Sequence, residues 1–284
     1  MLRIVTDSSA GLPRDLLEAY NIEVVPLKVH FGETTYREGE DLDNEQFYQL
    51  LSQAEQLPTT SQPSAGEFYE VYSRLTANGD SVISIHISSK MSGTCQSAMA
   101  AKAMLPQADI TVIDTLSASM GHGMIVLAAA EAAREGKSRD EVVALAERLI
   151  KGIQIVFIVD TLEYLQKGGR IGGAAAFIGT LLNVKPLLEI RDGRVEALEK
   201  VRSRKRAVQR SLEILAERFD GQSPLRMAIL HARCPEEAEM LAQRVRELFA
   251  CSRLYLAELS PVIGTHAGPG TLGLACYEEK LLKE

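Results

Sequence analysis

Short runs rich in β-branched residues alternate with longer stretches of helical apolar spacing along almost the whole chain, which predicts strands covered by crossover helices. In the first half, residues 2–6, 23–31, 81–87 and 109–113 predict strands, and 13–20, 44–53, 64–77, 93–104 and 119–135 predict helices. These form one layered unit around a mainly parallel sheet. Helix 138–151 runs into Gly152, and residues 153–159 (IQIVFIV) are apolar on both alternating faces, as a strand buried between layers requires. A second unit begins there. Residues 183–190 and 194–201 are joined by Asp192-Gly193, the strongest short-range signal for a tight hairpin, so this unit is partly antiparallel. Helix 203–219, strand 225–231, helix 235–249 and strands 253–258 and 271–277 complete it. The expected architecture is α/β in two domains: residues 1–155, mainly parallel, and a smaller mixed-sheet domain over 156–284. No repeat or Pro/Gly/Ser-rich linker separates them.

Composition narrows the function classes. With 284 residues, 46% hydrophobic and 24% charged, the chain is long enough for two well-packed domains. A formal charge of −7 argues against a protein that grips nucleic acid through phosphates, which needs clustered Lys and Arg, so any basic patch is local. Residues 1–7 read as a strand rather than a signal peptide, and no apolar run approaches the ~18 residues that a spanning helix requires. A cytoplasmic protein without stable membrane insertion is expected. The four cysteines, at 95, 234, 251 and 276, form no C-x-x-C pair and have no histidines at finger spacing, so neither a metal site nor a disulfide framework is expected.

Candidate chemistry lies in loops. Thr59-Thr60-Ser61-Gln62-Pro63-Ser64 opens a helix: Ser64 with Glu67 is a capping box, but that leaves Thr60 and Ser61 unexplained beside backbone N–H groups that favour an anion. Ser88-Ser89-Lys90-Met91-Ser92-Gly93-Thr94 follows a strand at the sheet edge where ligands bind in open α/β folds; a capping serine with a turn glycine is the plain alternative. Asp7-Ser8-Ser9 and Asp114-Thr115 occupy equivalent positions. Gly264 to Gly270 places His266 in a glycine-rich loop, whereas His30, His86 and His231 fall inside strand patterns, which favours His266 as a site residue. Gly268, Gly270 and Gly273 spell G-x-G-x-x-G with too little chain beyond for a dinucleotide-binding unit, and Lys167 to Gly173 lacks the ending of a phosphate-cradling loop. Lys200, Arg202, Arg204, Lys205 and Arg206 form the one dense basic cluster, readable as a solvated helix start or as a docking surface for an acidic partner. Residues 174–182 (AAAFIGTLL) predict a helix apolar nearly all round, either buried or lining an apolar cavity.

Two function classes compete. Ser92, His266 and Asp114 or Asp7 include the residue types of a serine hydrolase or esterase, yet no G-x-S-x-G elbow is present. A binding site asks less: hydroxyls and a histidine fix an anionic head group while an apolar cavity takes the tail.

The motifs in order resemble the DegV family: I-V-T-D-S-S at 4–9, T-S-Q-P-S at 60–64, I-S-S-K-M-S-G-T at 87–94, V-I-D-T at 112–115, K-G-G-R-I at 167–171, K-P at 185–186, D-G-R at 192–194 and T-H-A-G-P-G at 265–270. Within that family the chain looks like the fatty-acid-binding subunits of bacterial fatty acid kinase systems (the FakB type). The resemblance implies a non-enzymatic carrier without a cofactor. It would hold one long-chain fatty acid such as palmitate, stearate or oleate, with its tail in the carboxy-terminal domain. The carboxylate would be presented to a separate kinase subunit that makes an acyl phosphate for phospholipid synthesis. Carried over by motif, Thr60 and Ser92 bind the carboxylate, Ser61, Gly93, Thr94 and His266 complete the head-group shell, and Arg170 and Arg202 engage the kinase. Met91 before Ser92, and Ala267-Gly268-Pro269 after His266, depart from the family pattern and could alter head-group packing or tail preference. Burying about fourteen methylenes at ~0.8 kcal/mol each gives a gross apolar gain of roughly 11 kcal/mol before association costs. Hydroxyl donors then offset the cost of enclosing the carboxylate.

Overall fold

The computed structural model describes residues 1–179 and 184–283. In chain order the first half contains β1 (Leu2–Asp7), α1 (Arg14–Ala19), β2 (Glu23–Val25), β3 (Lys28–Phe31), β4 (Thr34–Arg37), α2 (Asn44–Gln53), β5 (Thr59–Ser61), α3 (Ala65–Thr76), β6 (Ser81–His86), α4 (Thr94–Ala103), β7 (Ile110–Asp114), α5 (Ser119–Arg134) and α6 (Arg139–Gly152). Asp43, Ser64 and Ser138 open α2, α3 and α6 with reciprocal capping boxes, each side chain accepting from the backbone N–H three residues on. Strands β2-β1-β6-β7 form a wholly parallel sheet, which brings the carboxyl ends Val25, Asp7, His86 and Asp114 to one edge.

The expected strand over 23–31 is instead two strands in different sheets. Pro26 lacks the N–H that a continuous ladder needs, and after it the chain leaves β1 to form a three-stranded antiparallel sheet, β4-β3-β5. That small sheet was not anticipated. It turns Thr59–Ser61, expected as loop, into a strand with Thr60 opposite Val29.

The second half contains β8 (Gln154–Ile158), α7 (Glu163–Lys167), β9 (Lys185–Arg191), β10 (Arg194–Val201), α8 (Arg204–Arg218), β11 (Leu225–His231), α9 (Pro235–Leu248), β12 (Cys251–Glu258), α10 (Pro261–Ala267) and β13 (Leu272–Glu278). Its six strands follow the order β10-β9-β8-β13-β11-β12, parallel only between β11 and β12. The Asp192-Gly193 turn joins β9 to β10 with positive φ at both residues. The expected apolar helix over 174–182 is not seen: Gly172–Phe177 is a short 3-10 turn with Ala174 buried but Ala175, Ala176 and Ile178 exposed. Residues 180–182, and Asn183 at the expected start of the next strand, lie outside the described residues.

The two sheets share a core. α5 is buried on nearly every side, and one apolar cluster runs from Ile4 and Ile83 through Met124 and Ala128 to Ile155 and Ala275. Small residues permit this: a Cβ on Gly123 would meet the Ala10 carbonyl at 2.3 Å, and one on Gly121 would meet Ile155 Cδ1 at 2.1 Å.

Candidate ligand site between the two sheets

The loops after β1 and β6 are anchored by a polar network beneath them. Asp7 accepts hydrogen bonds from Ser9 N at 3.1 Å and Ile87 N at 3.0 Å, and shares one of 2.9 Å with His86 Nδ1. His86 Nε2 in turn meets Ser84 Oγ at 2.7 Å, and the Tyr72 hydroxyl donates to the same Oγ at 2.7 Å. Burial opposes charge on Asp7, but the facing His122 and His86 rings and the hydrogen bonds from His86 and Ser9 hold its pKa down at about 2.

Above this network lies a narrow, mainly apolar cleft of about 100 Å³ between the two sheets. Leu27, Ile87, Met91 and Ala118 line it from the first half. Ile155, Phe157, Ile190, Val195 and Leu230 line it from the second, with Val262 and Ile263 of α10. Its polar lining includes Thr60, Ser61, Ser92, Arg170 and His266, with Gln62, Ser119 and Thr271. There Thr60 Oγ1 and His266 Nε2 share a 2.8 Å hydrogen bond, while His266 Nδ1 is buried without a partner among the described residues. His266 does not sit in the expected glycine loop. It lies on α10, which begins with Ser260 and Pro261, a helix-starting pair hidden by the glycines that follow. Burial and the Arg170 charge push its pKa down to about 4, so the ring is neutral near pH 7.

Glycines bring these parts together. A Cβ on Gly168 would stand 2.2 Å from His266 Nδ1, and one on Gly93 would stand 2.9 Å from Gln62 Nε2. Gly93 and Thr94 are not cleft-lining residues but stand behind Ser92: Gly93 is the N-cap of α4, and buried Thr94 Oγ1 pairs with Ser92 Oγ at 2.8 Å. The capping-serine alternative for Ser92 is thereby corrected, since its Oγ receives only a long contact, 3.4 Å, from Thr94 N. Ser61 Oγ shares a 2.8 Å hydrogen bond with His30 Nε2 on the neighbouring strand, a partnership between distant residues that no local motif signals.

Arg170, which the resemblance assigns to a kinase contact, is half-buried at the cleft. Its Nε donates to Met91 O at 3.0 Å and its Nη1 to Gly168 O at 2.8 Å, so it spans from the 88–93 loop to its own turn. Thr60, Arg170 and His266 also border a second, more polar cleft of about 580 Å³ with Glu163, Tyr164 and Lys167. The Thr60–His266 side of the cleft therefore faces an outer vestibule.

Two of the five cations in the basic cluster are paired with carboxylates. Arg204 donates to Glu237 at 2.7 Å and Asp160 at 3.1 Å, Arg206 pairs with Glu213 at 2.8 Å, and Lys200 lies 4.8 Å from the Phe177 ring centre. Arg202 and Lys205 are exposed and make no ion pair among the described residues. The hydrolase constellation is not assembled: Ser92 pairs with Thr94, His266 with Thr60, and Asp114 receives the backbone N–H groups of Ser89 and Leu116. Among the described residues no three His, Cys, Asp or Glu side chains cluster to hold a metal, and no helix is long and apolar enough to cross a membrane.

The family profile described as "Uncharacterised protein, DegV family" matches residues 1–279. Among solved structures, the chain is similar to a DegV family protein from Thermus thermophilus whose description reports fatty acid binding, at 40% identity over 98% of this chain and 99% of that one, TM-score 0.93. It is similar also to DegV from Bacillus subtilis, described as a fatty acid binding protein, at 38% identity over 98% and 99% of the two chains, TM-score 0.89. A more distant likeness, 27% identical over 98% and 99% with a TM-score of 0.89, is to a stearic acid-binding protein from Eubacterium ventriosum.

Proposed function

The chain belongs to the DegV family, and from that premise we propose that it is a carrier which buries one long-chain fatty acid in the cleft between its sheets. The observation that carries this reading is the cleft itself, mainly apolar in lining, with hydroxyls, an imidazole and a guanidinium where it borders the vestibule. The fatty-acid-binding descriptions of its Thermus and Bacillus relatives support the same ligand class. Thr60 and Ser92 hydrogen-bond the carboxylate, with Ser61 and His266 beside them and Gly93 and Thr94 fixing Ser92 from behind. The tail supplies affinity through apolar burial, and the head group, next to the vestibule, keeps part of its hydration.

The vestibule supports a finer reading, in which the carboxylate is presented to the catalytic subunit of a fatty acid kinase for conversion to an acyl phosphate that feeds phospholipid synthesis. Exposed Arg202 is the partner contact in this reading, while Arg170 stands at the boundary between ligand and partner. Native mass spectrometry of the purified protein, with extraction of any released lipid, tests the binding step. A stoichiometric mass excess matching a C14 to C18 fatty acid such as palmitate, stearate or oleate is expected. An unchanged apo mass after incubation with palmitate and oleate would overturn it.

A further inference from the structure

Helix α10 carries His266 but does not cap itself. Its N-cap residue, Ser260, makes no side-chain capping bond, and its first helical residue, Pro261, has no N–H. The first free donor, Val262 N, is bound instead by a residue more than two hundred positions earlier: Glu38 Oε1 accepts it at 2.6 Å. Glu38 follows directly on β4 and is 4% exposed. Its own N–H donates to Leu27 O at 2.9 Å, so its backbone is tied to the chain entering β3, the strand that pairs with Thr60. Val262 and His266 are four residues apart, hence on one face of the helix, and both line the cleft. The carboxyl thus couples the two elements that bring Thr60 and His266 within hydrogen-bonding distance.

We propose that Glu38 is a positioning residue for the head-group end of the cleft, capping α10 across the interface and thereby setting His266 against Thr60. Burial raises its pKa above the ordinary carboxylate value, against hydrogen bonds from Ser8, Val262 N and Ser260 that lower it, with the Asp7 charge a smaller raising influence; the Tyr48 hydroxyl also faces the carboxyl group. Glutamine reproduces that shape and keeps an acceptor for Val262, whereas alanine removes the acceptor and aspartate withdraws it by one methylene. The ligand arm of the test rests on the fatty-acid reading of the cleft, but the histidine arm does not.

The experiment compares Glu38→Ala, Glu38→Gln and Glu38→Asp by the ring resonances of His266, assigned with His266→Gln, and by affinity for oleate and for oleyl alcohol. In Glu38→Ala the His266 resonances should move and oleate should weaken about tenfold, the equivalent of one lost hydrogen bond, with oleyl alcohol nearly unchanged. Glu38→Gln should restore both to wild-type values. If Glu38→Ala does not fold, Glu38→Asp carries the same comparison. Unmoved His266 resonances, or equal weakening of acid and alcohol, would overturn the proposal. Wild-type protein that binds no oleate would sink the fatty-acid reading, and the His266 resonances would still decide the role of Glu38.

Discussion

Two hydroxyl–imidazole networks lie on either side of the same loops and behave in opposite ways. Beneath them, Asp7, His86, Ser84 and Tyr72 form a chain whose members are all fully buried, and both His86 ring nitrogens are engaged. Above them, Thr60, His266 and Arg170 use similar groups, but His266 Nδ1 has no partner among the described residues and the set faces open space. The lower network even has the Ser–His–Asp order of a hydrolase, yet nothing can reach it. Residue type therefore does not identify the site. Placement at the lining of an apolar cleft does.

The largest expected effect is on the closed network. His86→Ala leaves the Asp7 carboxylate and the Ser84 hydroxyl short of partners in the core, at a cost of about 3 kcal/mol or more in a denaturant titration. His266→Ala should cost about 1 kcal/mol in the same assay, because its one side-chain bond lies at the edge of a cleft. Equal losses would erase the distinction.

Ligand binding should invert that ranking. Thr60→Val combined with Ser92→Ala should weaken oleate by about 2 kcal/mol in a direct binding assay and lower stability by about 1–2 kcal/mol, less than His86→Ala, because the bonds to His266 and Thr94 are lost. Unaltered affinity would remove both hydroxyls from the head-group site. Arg170→Ala, whose side chain lines the cleft and holds the Met91 carbonyl, should affect lipid binding as well as any partner.

The networks should also separate on acidification. His266 is held at about 4, below its ordinary 6.5, so between those values the unfolded chain binds the proton more readily than the folded one. Its contribution is complete above pH 6.5 and is lost as pH falls toward 4. Asp7, held at about 2 against an ordinary 3.8, contributes above 3.8 and loses that contribution only as pH falls toward 2. The stability of wild type relative to His266→Gln should therefore fall by about 1–2 kcal/mol from pH 7 to pH 5, enough to cancel or reverse its advantage. A constant difference would place His266 in solvent.

Much of the scaffold was legible from local chemistry. Capping boxes at Ser64 and Ser138, and the Asp192-Gly193 turn, fix element ends within a few residues of sequence. What escaped depends on contacts between distant segments. β5 has only three residues and exists because β3 offers it a partner, and the break between β2 and β3 rests on Pro26, a signal that was available. In the site, Thr60, Ser92 and His266 were legible as residues with unexplained chemistry. The bonds of His30 to Ser61 and of Glu38 to Val262 span 31 and 224 positions, and no motif encodes either. That Arg170 holds the Met91 carbonyl was not legible, because that carbonyl belongs to another loop 79 positions earlier.

The smallest effect on the isolated protein is expected at Arg202. It is exposed and unpaired among the described residues, so Arg202→Ala should leave both the unfolding midpoint and oleate affinity at wild-type values. Its neighbours Arg204 and Arg206 already spend their charge on Glu237 and Glu213, leaving Arg202 and Lys205 as the cations of this cluster that can steer an acidic partner. With a fatty acid kinase subunit supplied, Arg202→Ala should slow acyl phosphate formation several-fold, as expected for a rim charge worth about 1 kcal/mol. Added salt should slow wild type toward the variant, because screening removes the same attraction. Full turnover by Arg202→Ala at low salt would show that the partner docks elsewhere. The open network would then remain a lipid site with no assigned exit for its carboxylate.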